Sequence, residues 1–404
     1  MKVQATELFA RAAATGVDWC FPSRLEEIAV LQAAISAAPG DGAARLLLGN
    51  LYYDRKRHQE AAQLWEQSAT LRPQDALVWR NLGIARCNVQ HDAAAARQAY
   101  RRARECDPDD ARVFFEADQL AKAVGVPISQ RLADMESHRD LVAKRDDLSL
   151  EYISLLNQAG RWHEALEMLL QRDFQPWEGG EGQVLAQFVR ARVLAGEELL
   201  ESGQPQLAME AFSSTLRPPE NLGETWHPLA NRSEAYFWLG EASCAMNHKQ
   251  EADQWWAKAA EAKGDFQQMA PTPYSEITLY QIFSLQRLNR HSQAADLIKE
   301  VTAYADNLLT STARIDYFAT SLPTLLLFDI DLQAEQTQKA MYLKAQMLMA
   351  SGRYDAAITE LTDILRQNPA HSGANDLKVA IRFLRRGDHL RVRSVDKVVV
   401  GGEG

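Results

Sequence analysis

Cysteine is scarce: four in 404 residues, at Cys20, Cys87, Cys106 and Cys244. With no CxxC pair and no histidine at ligand spacing, neither a disulfide framework nor a zinc site is expected. The thiols read instead as reduced, half-buried core residues. Long apolar runs are also missing. No stretch reaches the roughly 18 apolar residues of a membrane span, and residues 1–18 lack the apolar centre of a signal peptide. Positive charge is in deficit, with a formal net charge of −10, which disfavours a general nucleic-acid binder. Cytoplasm is the expected compartment. Catalytic vocabulary is lacking as well: no HExxH, no GxSxG and no paired carboxylates on facing strands. Gly179, Gly180 and Gly182 follow no strand and precede no lysine, so they form no phosphate loop. The chain is therefore not expected to be an enzyme, and no catalytic residue, metal or cofactor is assigned.

What the chain does contain is a repeat. Gly49 recurs as Gly83 after 34 residues, while Ala61, Trp65 and Pro73 recur as Ala96, Tyr100 and Pro108 after 35. The extra residue falls in a turn at 88–92. Such a period marks paired helices stacked in series. Small residues (Gly49, Ala61, Ser68) stand where two helices must approach closely, and Leu48, Tyr52, Leu64 and Trp65 fill the space between. Pro73 ends the second helix, because it has no N–H and clashes with the preceding turn.

The same ruler finds Tyr236, Leu239, Gly240, Ala252, Trp256 and Ala259 further on. Turn phrases recur at 160–165, 203–208, 290–294 and 352–357, the last repeat closing at Pro369. Residues 111–135 and 304–336 keep helical periodicity but lose the small residues. Segment 25–38, before Pro39, reads as an isolated second helix, and 375–386 as a polar-faced capping helix. The expected fold is all-α: roughly seven to eight helical hairpins in a right-handed α-α superhelix. The expected segments are 1–40 (N-terminal helices and a half repeat), 41–140, 141–265 with long linkers, 266–386 with the cap, and a flexible tail at 387–404.

The spacing of Leu48, Gly49, Tyr52, Ala61, Trp65, Ser68 and Pro73 resembles the tetratricopeptide repeat (TPR) signature, and Trp79, Leu82 and Gly83 open the next copy in the same way. A narrower resemblance runs over most of 19–380. Cys20-Phe21-Pro22-Ser23-Arg24-Leu25-Glu26-Glu27, Trp79-Arg80-Asn81-Leu82-Gly83 and Pro176-Trp177-Glu178-Gly179-Gly180-Glu181-Gly182 are similar to phrases in large bacterial YphG-type proteins. In that family an uncharacterised β-rich N-terminal part precedes a TPR region. The resemblance implies that this chain corresponds to the TPR region, and it carries over no catalytic residue.

A repeat solenoid of this kind binds partners along the concave face lined by its first helices. The expected partner-binding residues are Arg45, Asn50, Arg80, Asn81, Arg112, Arg192 and Tyr236, and the expected partner is a protein segment or the β-rich part of a longer parent. A clamp for a C-terminal carboxylate, as some TPR domains have, fits poorly. Asn50 and Asn81 match its pattern, but Leu46 stands where a lysine is needed and Glu116 would repel the acid. Three successive linkers are long and unusual. The first carries Trp177, Glu178 and Glu181, the second Asn221, Glu224, Trp226 and His227, and the third Met269 and Tyr274. Exposed tryptophan beside carboxylates and amides suits a sugar or peptide site, which would make the region an accessory to a carbohydrate-active enzyme. The competing account has Trp177 and Trp226 folding back to seal gaps between repeats. A basic run at Arg97, Arg101, Arg102 and Arg104 reads as a solvated outer face. Simple dimerisation of the solenoid is a third account of its use.

Overall fold

The computed structural model describes residues 2–17, 19–267, 270–314, 327–329 and 331–385. The expected tail at 387–404 and Met269 of the third linker lie outside them. Twenty α-helices form among the described residues, with one short two-stranded ribbon. The fold is all-α, and the chain divides into two compact units.

Unit 1 comprises Met1–Val124 together with Leu326–Asp329. It contains α1 (Lys2–Ala13), α2 (Glu26–Ala37), α3 (Gly42–Asp54), α4 (His58–Leu71), α5 (Ala76–Asn88), α6 (Ala93–Cys106) and α7 (Ala111–Ala123). Unit 2 comprises Gly125–Leu325 and Ile330–Gly404. Its helices are α8 (Ile128–Ser137), α9 (Arg139–Val142), α10 (Asp146–Gln158), α11 (Trp162–Gln171), α12 (Gln183–Glu201), α13 (Pro205–Thr215) and α14 (Ser233–Ala245). They continue with α15 (Lys249–Ala260), α16 (Thr278–Arg287), α17 (His291–Thr310), α18 (Leu332–Ala350), α19 (Tyr354–Gln367) and α20 (Ser372–Arg385).

Three first helices of unit 1 start on aspartate caps. Asp41, Asp75 and Asp110 accept from backbone N–H groups of the opening turns of α3, α5 and α7, satisfying donors that a helix start leaves orphaned. Each hairpin then turns through a single left-handed residue: Lys56, His91, Gly160, Gly203, Asn247, Asn289 and Gly352. The residue after most of these donates back across the helix end, as Arg57 N does to Tyr52 O at 2.8 Å and Arg353 N to Leu348 O at 2.8 Å. That is the helix-stop geometry for which glycine and asparagine are suited. In the second hairpin the corresponding bond runs from Asp92 N to Arg86 O, so the extra residue seen in the sequence is absorbed in this turn.

Close approach within hairpins is set by a glycine on the first helix facing an aromatic on the second. A Cβ at Gly49 would lie 2.5 Å from Trp65 Nε1, at Gly83 2.6 Å from Tyr100 and at Gly240 2.3 Å from Trp256 Nε1. Sequence reading missed a fourth pair, Gly196 against Phe212 at 2.2 Å. Its sixteen-residue offset matches that of Gly49 and Trp65, but the aromatic is a phenylalanine and the following turn is loose. Ser68 Oγ donates to Gly42 O at 2.8 Å and Ser233 Oγ to Ala259 O at 2.9 Å, tying the two helices of each hairpin where polar groups are buried.

Several expectations need correction. Cys20 and Cys244 are exposed and only Cys87 and Cys106 are partly covered, because the first lies outside the helices and the second sits in the last turn of one. Trp79, expected from its repeat position to be core together with Trp65, Tyr100 and Trp256, is half-buried, its indole donating to Pro73 O at 2.9 Å, whereas the other three are core. The third linker is not plain coil: β1 (Asp265–Gln267) pairs antiparallel with β2 (Ala270–Thr272). The capping helix starts three residues early, at Ser372, where His371 Nδ1 accepts from Ala374 N at 3.1 Å. No helix among the described residues is long and apolar enough to cross a membrane.

Candidate functional site

Five of the seven expected partner-binding residues lie in unit 1, and four of them join one hydrogen-bonded ladder across α3, α5 and α7. Trp65 Nε1 donates to Asn50 Oδ1 at 3.1 Å, and Asn81 Nδ2 donates to the same oxygen at 2.9 Å. Arg80 donates to Asn81 Oδ1 at 3.2 Å and grips both oxygens of Glu116 at 2.7 Å. Glu116 also accepts from Arg112 at 2.9 Å and from the Tyr100 hydroxyl at 3.1 Å. Glu116, expected to repel an acidic ligand, is thus neutralised by two guanidinium groups. Burial by itself depresses Arg80, but its pairing with Glu116 outweighs this and holds the guanidinium above its ordinary pKa. Tyr100 is pushed up strongly, first by burial and then by the Glu116 charge.

Asn81, Arg80 and Glu116 are sunk in this surface, with Arg80 and Glu116 side chains 13% and 6% exposed. Arg112, at 60% side-chain exposure, stands out from it. Arg45 donates to Asp41 O at 2.8 Å and to Gln67 Oε1 at 3.1 Å, leaving it half-exposed at the ladder's edge. The ladder is therefore a rigid polar floor, with Arg45, Asn50 and Arg112 as the groups that reach solvent.

No sequence signal marks the next feature. The segment Leu327–Asp329 belongs to unit 1 and seats beside the end of α5. Asn88 Nδ2 donates to Leu327 O at 2.9 Å, and Asn88 Oδ1 accepts from Asp329 N at 3.2 Å. Between these two peptide groups, Phe328 packs against the cluster of Ile84, Ala96, Tyr100 and Val113. Its ring meets Tyr100 edge-on, 5.9 Å between centroids at 67°. Burial raises the Cys87 thiol, and the Asp329 carboxylate adds to the shift.

The remaining two expected face residues are in unit 2 and have other neighbours. Tyr236 stacks on Trp255, centroids 6.0 Å apart, beneath Lys258 at 4.5 Å. Arg192 lies over the Phe188 ring at 5.3 Å, and its buried Nε has no hydrogen-bond partner. Burial lowers its pKa.

Most linker candidates converge on one cleft in unit 2, about 800 Å³, lined by Trp177, Glu181, Glu224, Trp226, His227 and Phe266 among others. Several of them are already committed to the fold. Glu224 accepts from Gly182 N and Leu185 N at 2.6 Å each, capping α12 from the second linker. Burial raises its pKa against the pull of these bonds. The Trp226 indole donates to Thr215 O at 2.7 Å, with Arg232 over its ring at 5.5 Å. His227 stacks on Phe266 at 3.7 Å, and Trp177 closes over Gly180. Both tryptophans are half-buried rather than exposed. Asn221 donates to Leu169 O and Arg172 O at 2.8 Å and does not line the cleft. Glu178 is exposed and outside it too.

Residues 28–76 and 338–371 match family models described as tetratricopeptide repeat. Among solved structures, the chain is similar to YrrB, a TPR protein with an unusual peptide-binding site. Identity there is 13% over 57% of this chain and 91% of that one, with a TM-score of 0.24. A TPR protein from Parabacteroides merdae is 14% identical over 70% of this chain and 99% of that one, with a TM-score of 0.33. The Naa15/Naa10 structure bound to HypK-THB is 10% identical over 95% of this chain and 66% of that one, at 0.39. The chain thus contains tetratricopeptide repeats near both ends of its helical array.

Proposed function

We propose that this chain is a non-catalytic protein-interaction scaffold that binds a peptide or partner domain on the first-helix face of unit 1. One observation carries the reading: the ladder from Asn50 through Asn81 and Arg80 to Glu116 crosses three successive first helices. Such a floor is costly for a helical repeat to maintain, because buried polar groups contribute little net stability over apolar packing. Its value lies in presenting Asn50 and Arg112 at fixed spacing, beside Arg45 held by Asp41 and Gln67, pre-organised for a partner. The β-rich part implied by the YphG-type resemblance is one partner of suitable kind. The test compares proteins retained from a native-host extract by the wild-type chain and by an Arg45→Ala/Arg112→Ala double variant. Retention should fall at least tenfold while the melting temperature stays within a few degrees. Equal retention by both chains refutes the choice of face.

A second reading rests on the cleft at Trp177 and Trp226, whose aromatic walls offer a stacking surface for a carbohydrate. Titration of tryptophan fluorescence with a glycan panel tests it, and a flat response to every sugar removes it.

A further inference from the structure

Asn88 is the last residue of α5, and its amide makes the two bonds that an adjacent strand edge would make. It donates to the carbonyl before Phe328 and accepts from the N–H after it. Backbone recognition of this kind is indifferent to side chains, and selectivity comes from the pocket that takes the side chain between. Here the ring meets Tyr100 edge-on and packs on the apolar cluster of Ile84, Ala96, Tyr100 and Val113, on which Leu327 also packs. Tyr53 Oη also receives a long bond from Asn88 Nδ2, at 3.4 Å, which orients the amide. The segment in the seat lies 239 residues from Asn88 along the chain at Leu327. None of these contacts depends on that covalent connection. Any chain presenting an apolar residue followed by an aromatic offers the same two peptide groups and the same ring.

We propose that the Asn88 seat is a binding site for a partner-protein segment in which an aromatic follows an apolar residue, and that Leu327–Asp329 fills it as an internal competitor. The inference rests on the reading of the first-helix face as a binding surface and names the partner chemistry for its Asn88 end. A segment of the same chain competes intramolecularly, at an effective concentration that does not fall on dilution. A partner therefore binds the intact chain weakly and gains when the internal segment is weakened.

The test uses the full-length chain and a fluorescein-labelled peptide, acetyl-Thr-Leu-Leu-Leu-Phe-Asp-Ile-Asp-amide, matching residues 324–331. Two release variants act differently. Phe328→Ala removes the ring, and Asp329→Pro removes the N–H that Asn88 accepts from while leaving the ring in place. Each should tighten peptide binding at least tenfold over wild type, measured by fluorescence anisotropy. Adding Asn88→Asp, which is isosteric but turns the donor toward Leu327 O into an acceptor, should return binding to background. A peptide with alanine for phenylalanine should not bind either form. Circular dichroism of each variant establishes that the helices persist.

Unchanged peptide binding in both release variants, with partner retention still sensitive to Arg45 and Arg112, overturns the seat and leaves the proposed face standing. Tightened peptide binding with retention insensitive to Arg45 and Arg112 supports the seat and fails the wider face. A doubled mass in light scattering that Phe328→Ala abolishes would assign the seat to a second copy and overturn the partner.

Discussion

Gly240→Ala sets two effects of opposite sign against each other. In an exposed helix, replacing glycine by alanine gains about 1 kcal/mol, because alanine loses less backbone entropy. At position 240 the new methyl would stand 2.3 Å from Trp256 Nε1 and 2.4 Å from Cδ1. Carbon contacts settle near 3.5–4.0 Å, so the indole must retreat by about 1 Å. Trp256 is 2% exposed, held between Lys249 and Arg287 at 5.0 and 5.9 Å from its ring, and has little room to move. Overpacking a filled core costs about 1–3 kcal/mol. With two ring atoms inside 2.5 Å the upper end applies, and the expected net loss is about 2 kcal/mol. Urea unfolding followed by circular dichroism gives the total. Hydrogen exchange on α14 and α15 localises it, which matters because repeat arrays unfold in stages. In a Trp256→Leu background the ring is gone and Gly240→Ala should become stabilising by about 1 kcal/mol. The sign reversal is decisive: an alanine that stabilises both backgrounds, or neither, refutes glycine–aromatic contact as the determinant of hairpin spacing.

Two further outcomes follow from buried charge. Glu116→Gln strands the Arg80 guanidinium, which is 13% exposed, and should destabilise unit 1 by about 3 kcal/mol, as loss of one partner from a buried pair does. Arg112→Ala removes a partner that is 60% exposed and should cost under about 1 kcal/mol; equal costs in denaturant melts would contradict the assigned burial. His371 gives a pH dependence. Burial holds its imidazole below the ordinary value of 6.5, so the unfolded chain takes up the proton first. Stability is therefore complete above pH 6.5 and falls as pH drops from there through the folded-state value. Protonation also removes the acceptor for Ala374 N at the start of α20. Exchange of α20 amides, measured between pH 7.5 and 5.5, should accelerate relative to α18 beyond the intrinsic rate, and His371→Asn should abolish the excess. An unchanged ratio in the wild type refutes the role.

Hairpin periodicity was legible because it is a local property. A small residue on one helix faces an aromatic sixteen or seventeen residues on, and the turn between them needs one left-handed residue; both constraints leave marks at fixed offsets. The pair Gly196 and Phe212 escaped notice because its aromatic is a phenylalanine and its turn phrase is loose. The linker cleft was half legible. Unusual composition pointed to Trp177, Glu181, Glu224, Trp226 and His227, which do line one cavity. It did not distinguish groups offered to a ligand from groups consumed by the fold, such as Glu224 on the α12 N-terminus and Asn221 on the end of α11.

Sequence alone determined that the chain is a series of helical hairpins, where most of their turns fall, and that Trp65, Tyr100 and Trp256 are core. These follow from neighbours within one repeat length, and a 34-residue period records them directly. Only the tertiary structure decided which polar residues satisfy one another and which remain for a partner. It also decided that residues 327–329 share a unit with α5. Hydrogen bonding saturates: Asn81 looks the same in a sequence whether its amide meets solvent, a ligand or Asn50. A contact spanning 239 residues leaves no periodic trace, because nothing in the intervening chain repeats at that distance.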